Sequence, residues 1–305
     1  MTTQGNINKI CCPECKSEKV KKRGFRQTEN RGKIQRYRCK ECHYSFCLDD
    51  GFFRMRNSPQ KITCAIDLFY RGVSTRKVQE HFKAFYPHNA DHSAILMWIK
   101  KYAKMISEFT DKLKVKTGEE IEVDEIEYHR RKSHNHKGVS KDWFIDSIDK
   151  KSRFMIEGQY FNSRGMKQIR EIFDSIKDKT DTQIKVVTTD GWKVYKNIIK
   201  KTFGYNNKTG KFNVVHHRNV AIKDEGFNYS VERLHNNIRE RTKVMRGFHG
   251  SISSANAIMK GYGIFYNFIR IHQAINKCPY ELATDLKLTS ANKWLELINL
   301  STQNN

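Results

Sequence analysis

Three carboxylates and four thiols are placed where they could do chemistry. Asp124 lies in "EEIEVDEIEY", Asp190 closes "IKVVTTDG", and Glu232 sits in "FNYSVERLHNNIRERTKVMRGF", residues 227–248, a stretch crowded with Arg, Lys and His. The first two segments read as strands and the third as one helix. Strand ends and a helix face are rigid supports that can bring side chains to one point. Three carboxylates held close repel one another, so the cluster calls for cations, two Mg²⁺ (or Mn²⁺) being the usual solution. Such a pair, roughly 3.5–4 Å apart, activates a water or hydroxyl and stabilises the leaving oxygen in an in-line attack on phosphate. Each residue has a plainer reading too. A Glu among arginines is usually a solvated ion pair, and an Asp before Gly is often a turn residue. Alternation along the first strand does not choose Asp124 over Glu122 or Glu125.

The thiols form two CxxC pairs, Cys12/Cys15 and Cys39/Cys42. Four thiolates in two short knuckles match the tetrahedral demand of structural Zn²⁺. Cys11 competes with Cys12 as ligand, and the Pro after Cys12 suits a knuckle. "KVKKRGFR" and "IQRYRC" predict two strands joined at residues 29–33, the frame of a zinc ribbon. Cys47, Cys64 and Cys278 are expected to be inert core thiols.

Between the ribbon and the first carboxylate the spacing predicts three helices. The first is capped by Ser58 with Pro59 in its first turn and Ile62, Ala65, Ile66 and Phe69 inward, and it stops at Arg71 and Gly72. The second is capped by Ser74 with Val78 and Phe82 inward. The third is basic, with Ile95, Ile99, Tyr102 and Ile106 as its stripe. Together they suit a helix-turn-helix, followed by a connector at 107–118. Next come three strands, around a turn at 149–151, then helix, strand, helix, strand, helix. That order implies a mixed sheet flanked by helices. On the last helix Asn228, Glu232, His235, Arg239 and Arg246 form one stripe, and Val231, Leu234, Ile238 and Met245 the buried one.

The chain has 305 residues and a formal charge of +24, from 57 Lys and Arg against 33 Asp and Glu. Its natural partner is a polyanion, nucleic acid first. No apolar run approaches the roughly 18–20 residues of a membrane span, and the first residues lack a signal-peptide core, so a cytoplasmic protein is expected.

The ordered series "IEVDEIEY", "DWFIDSIDKKSRFMI", "VVTTDG", "VERLHNNIRERTKVMRGF" and "YNFIRIHQAINKCPYEL" resembles the DDE transposases of bacterial and archaeal insertion sequences, most closely the family typified by insertion sequence six. The resemblance spans roughly residues 60–285. It implies an α/β, RNase H-like (integrase-like) core in which Asp124, Asp190 and Glu232 bind Mg²⁺ or Mn²⁺. Arg239 takes the family's basic place seven residues after the glutamate, and Asn228 fits four residues before it. Arg239 and its neighbours His235 and Arg246 would face DNA phosphates. Asn267, Arg270 and His272 look like the run common in transposase tails, though most of that segment reads as a helix packed on the sheet. His43 stands where related ribbons often carry Gly. The polar stretch "GYNNKTGK" accounts for extra length between Asp190 and Glu232. The implied organisation is a zinc ribbon at 1–50, a helix-turn-helix at 55–108, the catalytic core at 118–285 and a tail at 286–305. The implied activity is cleavage and transfer of double-stranded DNA by a homo-oligomer, without membrane or small-molecule substrate. Two rival readings are a non-catalytic DNA-binding regulator derived from a transposase and an RNase H-like nuclease that cuts without joining.

Overall fold

The computed structural model describes residues 10–86, 90–131, 139–219, 228–245 and 247–303. Near the N-terminus β1 (Val20–Thr28) and β2 (Gly32–Cys39) pair antiparallel around the expected turn, and β2 pairs with a further strand, β3 (Ser45–Cys47). Three helices follow, α1 (Pro59–Tyr70), α2 (Thr75–Phe85) and α3 (His92–Thr110). The Ser58 and Ser74 hydroxyls accept from the Lys61 and Lys77 N–H, satisfying donors that each helix start leaves open. Gly72, at φ 105°, supplies the left-handed turn between α1 and α2. The apolar stripes expected on all three helices are buried. One expectation is corrected: α3 runs on to Thr110, into the stretch read as a connector, burying seven side chains while Lys101 and Lys104 stay exposed. The exposed bases in this region include Arg76, Lys77 and Lys83 on α2.

The remaining elements are β4 (Glu120–Arg131), β5 (Val139–Asp149), β6 (Met155–Phe161), α4 (Met166–Lys179), β7 (Val186–Asp190), α5 (Val194–Phe203), β8 (Tyr205–Asn206), β9 (Lys211–Phe212), β10 (Val215–Asn219), α6 (Tyr229–Lys243), β11 (Phe248–His249), α7 (Ile252–Ile264), α8 (Tyr280–Ala283) and α9 (Lys293–Gln303). A π-helical turn at Phe265–Ile269 continues α7. The main sheet runs β10-β7-β4-β5-β6, with β11 beside the far end of β4. β4, β7 and β10 are parallel, while β4, β5 and β6 form an antiparallel meander. This is the mixed sheet that the order of elements implies. "GYNNKTGK" is not an open loop: it closes as the β8–β9 hairpin.

The helices before the sheet share one core with it. Tyr70 of α1 donates to the Ile258 carbonyl of α7, and its ring stacks on Phe265 and Trp294. The described part of the segment read as a tail, residues 286–303, is therefore packed: α9 buries Trp294, Leu297 and Ile298, and the Trp294 indole donates to Asp67. Asn267 pairs through both ends of its amide with the Met155 backbone, taking the place of a neighbouring strand at the edge of β6. No helix among the described residues is long and apolar enough to cross a membrane.

At the end of the sheet β6 presents a buried carboxylate, Glu157, to two ammonium groups, Lys179 of α4 at 2.7 Å and Lys260 of α7 at 2.6 Å. Both lysines also reach Asp111, just past α3. Burial works against the Glu157 carboxylate, but Lys260 and Lys179 outweigh it and hold its pKa down at about 2. A depressed folded-state pKa adds stability that is present above the unfolded value of about 4.3 and lost as pH falls towards 2. The shift is worth on the order of 3 kcal/mol. Wild type should thus lose stability steeply between about pH 5 and pH 2. Glu157→Gln, less stable at neutral pH, should show a flatter profile in denaturant titrations; equal slopes would remove Glu157 from the account.

Candidate active site

The sheet register places the carboxylates. Glu120, Ile121 and Glu122 of β4 lie beside Val186, Val187 and Thr188 of β7, and the same offset sets Asp124 beside Asp190. On the other side Asp124 stands directly opposite Asp146 of β5. Three acidic residues thus lie abreast on three adjacent strands. Asp190 ends its strand and accepts from the Trp192 N–H at 2.9 Å, a turn bond that fixes its carboxylate. The turn reading of Asp190 is therefore met, and it leaves the carboxylate beside Asp124.

α6 is bound to the face of β4 that carries Asp124. Glu122, two residues before Asp124 and so on the same face, accepts from the Ser230 and Val231 N–H groups at 2.8 Å each. This carboxylate caps the open donors at the helix start, which gives Glu122 a positional role. Further along, His235 lies 3.7 Å from Asp124 through Nδ1 and 3.1 Å from both Asp146 oxygens through Nε2. Tyr128 and Thr242 meet near the far end. Glu232 is in the first turn of α6, between the anchored residues 230–231 and His235, and its side chain is exposed.

The stripe expected on this helix needs correction. α6 runs from Tyr229 to Lys243 and not through 227–248, and Arg246 lies outside the described residues. Asn228, at the helix start, is 4% exposed and His235 2%, so neither presents itself to DNA. His235 is turned inward by Asp146, a buried carboxylate that requires a partner. Arg239 is exposed, as expected, and Val231, Leu234 and Ile238 are buried. His216, a neighbour of the site in sequence terms, is engaged with the Thr189 hydroxyl at 2.9 Å.

Among the described residues, the oxygen ligand atoms that come within 4.8 Å of one another belong to Asp124, Glu125 and Asp190. Glu232 is not in this group. Glu125 is held by the Arg164 Nε at 2.8 Å, and Arg164 Nη2 reaches Asp190 at 3.3 Å. The guanidinium is itself sandwiched between Trp143 and Trp192, 4.9 and 4.0 Å from the ring centres. Burial raises the Asp124 carboxyl above its usual range, with Asp146 and Asp190 adding to it and His235 opposing. Burial likewise pushes Glu125 up to about 7 against the pull of Arg164. His235 is raised in turn, because Asp146 and Asp124 overcome the cost of burying its charge. This crowding of carboxylates is the condition a divalent cation relieves, and an all-oxygen donor set suits a hard ion.

The thiols meet as their spacing predicts. Cys12, Cys15, Cys39 and Cys42 offer sulfurs within 4.8 Å of one another, with Cys12–Cys42 and Cys15–Cys39 both at 3.5 Å. Zn–S bonds of about 2.3 Å put tetrahedral sulfurs roughly 3.8 Å apart, so the group fits a four-thiolate metal. Cys12 rather than Cys11 belongs to it. His43 adopts φ 61°, which explains why Gly suits that knuckle.

Residues 141–272 match a family model described as a DDE domain, of the transposases of insertion sequences. That segment is thus similar to the DDE domain of transposases. The matched segment holds Asp190, Glu232 and Arg239 and begins beyond Asp124. No curated protein is significantly similar in sequence. Among solved structures, a piggyBac transposase in a synaptic complex with hairpin DNA is 9% identical, with a TM-score of 0.38 over 81% of this chain and 72% of its own. The Drosophila P element transposase strand transfer complex is 7% identical, with a TM-score of 0.34 over 87% of this chain and 81% of its own.

Proposed function

We propose that this chain binds the terminal inverted repeats of its insertion sequence and catalyses metal-dependent cleavage and transfer of DNA strands. One observation carries the reading: Asp124 and Asp190 lie side by side on β4 and β7, under a helix anchored to β4 that bears Glu232. The strand order, with the meander β4-β5-β6 on one side and the parallel β7 and β10 on the other, is the one an RNase H-like core calls for.

Asp124, Asp190 and Glu232 would hold Mg²⁺ or Mn²⁺, which supplies activation of the attacking water or hydroxyl and neutralises the leaving oxygen. His235 and Asp146 keep Asp124 in place from inside the sheet. Glu122 fixes the start of α6 and so the position from which Glu232 projects. Arg239, exposed seven residues on, faces the phosphates. Strand transfer needs no covalent protein intermediate: water first frees a 3′ hydroxyl, which then attacks target DNA.

The four-thiolate group takes Zn²⁺ and supports a ribbon whose β1 exposes Lys21, Lys22, Arg23 and Arg26. With the helix-turn-helix at 55–108, whose α2 displays basic residues, it would hold the element's ends through phosphates and a few base edges. Paired ends require at least two protomers, and the work would be done in the cytoplasm. A regulator without catalysis has no use for carboxylates kept abreast at this cost, which weighs against that rival. The test is nicking and joining of labelled duplexes carrying the gene's own flanking ends, with and without Mg²⁺. Metal-dependent joined product is expected. Tight binding with no cleavage would replace the proposal by the regulator, and cleavage with no joining by the nuclease.

A further inference from the structure

Arg164 stands between two carboxylates in opposite circumstances. Its Nε donates to Glu125 Oε1 at 2.8 Å, and its Nη2 donates to Asp190 Oδ2 at 3.3 Å. Nε and Nη2 lie on one edge of the guanidinium, so a single planar fork spans both groups. The Glu125 side chain is 2% exposed and that of Asp190 40%. Glu125 cannot leave the fork without stranding a buried charge, whereas Asp190 has an open side on which to meet an ion.

The fork has little freedom of its own. Trp143 of β5 and Trp192, in the turn after β7, hold the guanidinium between their rings. The N–H of the same Trp192 donates to Asp190 Oδ1. Asp190 is thus gripped through both oxygens by one unit, the stacked Trp192 and Arg164. A carboxylate has about four lone-pair sites, so each oxygen keeps one for a further partner. Arg164 itself comes from the connection between β6 and α4, next to Gly165 at the helix start.

Oxygens of Asp124, Glu125 and Asp190 lie within 4.8 Å of one another, and a divalent ion placed among them has a choice of ligands. We propose that Arg164 is a positioning residue that makes this choice: it ties Glu125 back and aims Asp190, so that the ion is held by Asp124 and Asp190 and not by Glu125. The inference rests on the metal-dependent function proposed above. It deepens that reading by giving the selection among neighbouring carboxylates to a residue that is not itself a ligand. It also limits affinity, because a fixed positive charge beside the ligands repels the ion.

The test is Mn²⁺ binding, read from the loss of the paramagnetic resonance of the free ion, beside single-turnover nicking of labelled ends. Asp190→Asn identifies the ion bound at this cluster. Arg164→Met keeps an apolar chain between the two indoles and removes the fork. It should bind Mn²⁺ about 10-fold more tightly, because a repelling charge is gone and Glu125 is released to ligate. It should nevertheless nick about 100-fold more slowly, because Asp190 is no longer aimed. Adding Glu125→Gln should return the Mn²⁺ affinity of Arg164→Met towards wild type without restoring the rate. Arg164→Lys keeps the charge but cannot span both carboxylates, so it should bind Mn²⁺ as wild type does and nick slowly. A merely structural residue would lower affinity and rate together. Mn²⁺ affinity in Arg164→Met equal to or below that of wild type, in a protein that binds the ion and nicks its ends, would overturn this inference and leave the proposed function standing. A wild type that binds no Mn²⁺ through Asp190 would overturn both.

Discussion

Glu232→Gln and Asp190→Asn are each expected to lose nicking and joining of element ends by at least about 10³-fold, with end binding and zinc content staying at wild-type level. Both substitutions keep the size of the side chain and remove a negative oxygen from a proposed cation ligand. For Asp190 the geometry leaves little room for another outcome, since its carboxylate stands beside Asp124. Glu232 is the sharper case, because the oxygens that come closest to Asp124 and Asp190 include those of Glu125 instead. Glu125 is already committed: Arg164 holds it, its side chain is 2% exposed, and burial makes it reluctant to ionise. Glu232 is exposed in the first turn of a helix whose start is fixed by Glu122. Glu125→Gln should therefore cost far less, on the order of 10-fold, through the loosened Arg164. Single-turnover rates of nicking on labelled ends would read both. A dead Glu125→Gln beside an active Glu232→Gln would assign the third ligand to Glu125.

Cys39→Ser is expected to abolish the proposed zinc binding and end recognition together, while leaving the sheet and its helices folded. Among the described residues before β3, the buried side chains are only Cys12, Tyr37 and Cys39. So small a core cannot hold three strands, and the free energy of metal binding has to serve as folding energy. The ribbon should become sensitive to protease between β1 and β3, with zinc content falling from one equivalent towards none. Cys11→Ser, outside the cluster, should change neither. Retained end binding by zinc-free Cys39→Ser would separate the ribbon from recognition.

What was legible in the sequence was what is local. Serine caps, the Gly72 stop and the apolar stripes of α1 to α3 depend on residues within a turn or two, and they are where the spacing predicts. The CxxC pairs specify their own geometry. The acidic strand residues could be found, but choosing among Glu122, Asp124 and Glu125 needed β7 and α6, which arrive 60 and more residues later in the chain. His235 misled because it lies at the border of the buried stripe, four residues after Val231. It turns inward for Asp146, and an Asp within "WFIDSI" facing buried Phe144 and Ile148 was the available sign that some cation must reach it. The Arg164 sandwich carries no signal in its own stretch, since its partners come from β4, β5 and the turn after β7. The role of α9 was equally hidden, because the groove that receives Trp294 is built by α1, more than 200 positions earlier.

The most direct test of the central claim exchanges the metal preference of one proposed ligand. Asp190→Cys puts a soft thiolate where a carboxylate oxygen is proposed to meet the ion, a donor that Mg²⁺ accepts poorly and Mn²⁺ accepts better. End cleavage by this variant should be undetectable in Mg²⁺ and partly restored in Mn²⁺, while wild type works in both. Cleavage at the wild-type rate in Mg²⁺ would show that Asp190 binds no metal, and would dissolve the site proposed between β4, β7 and α6.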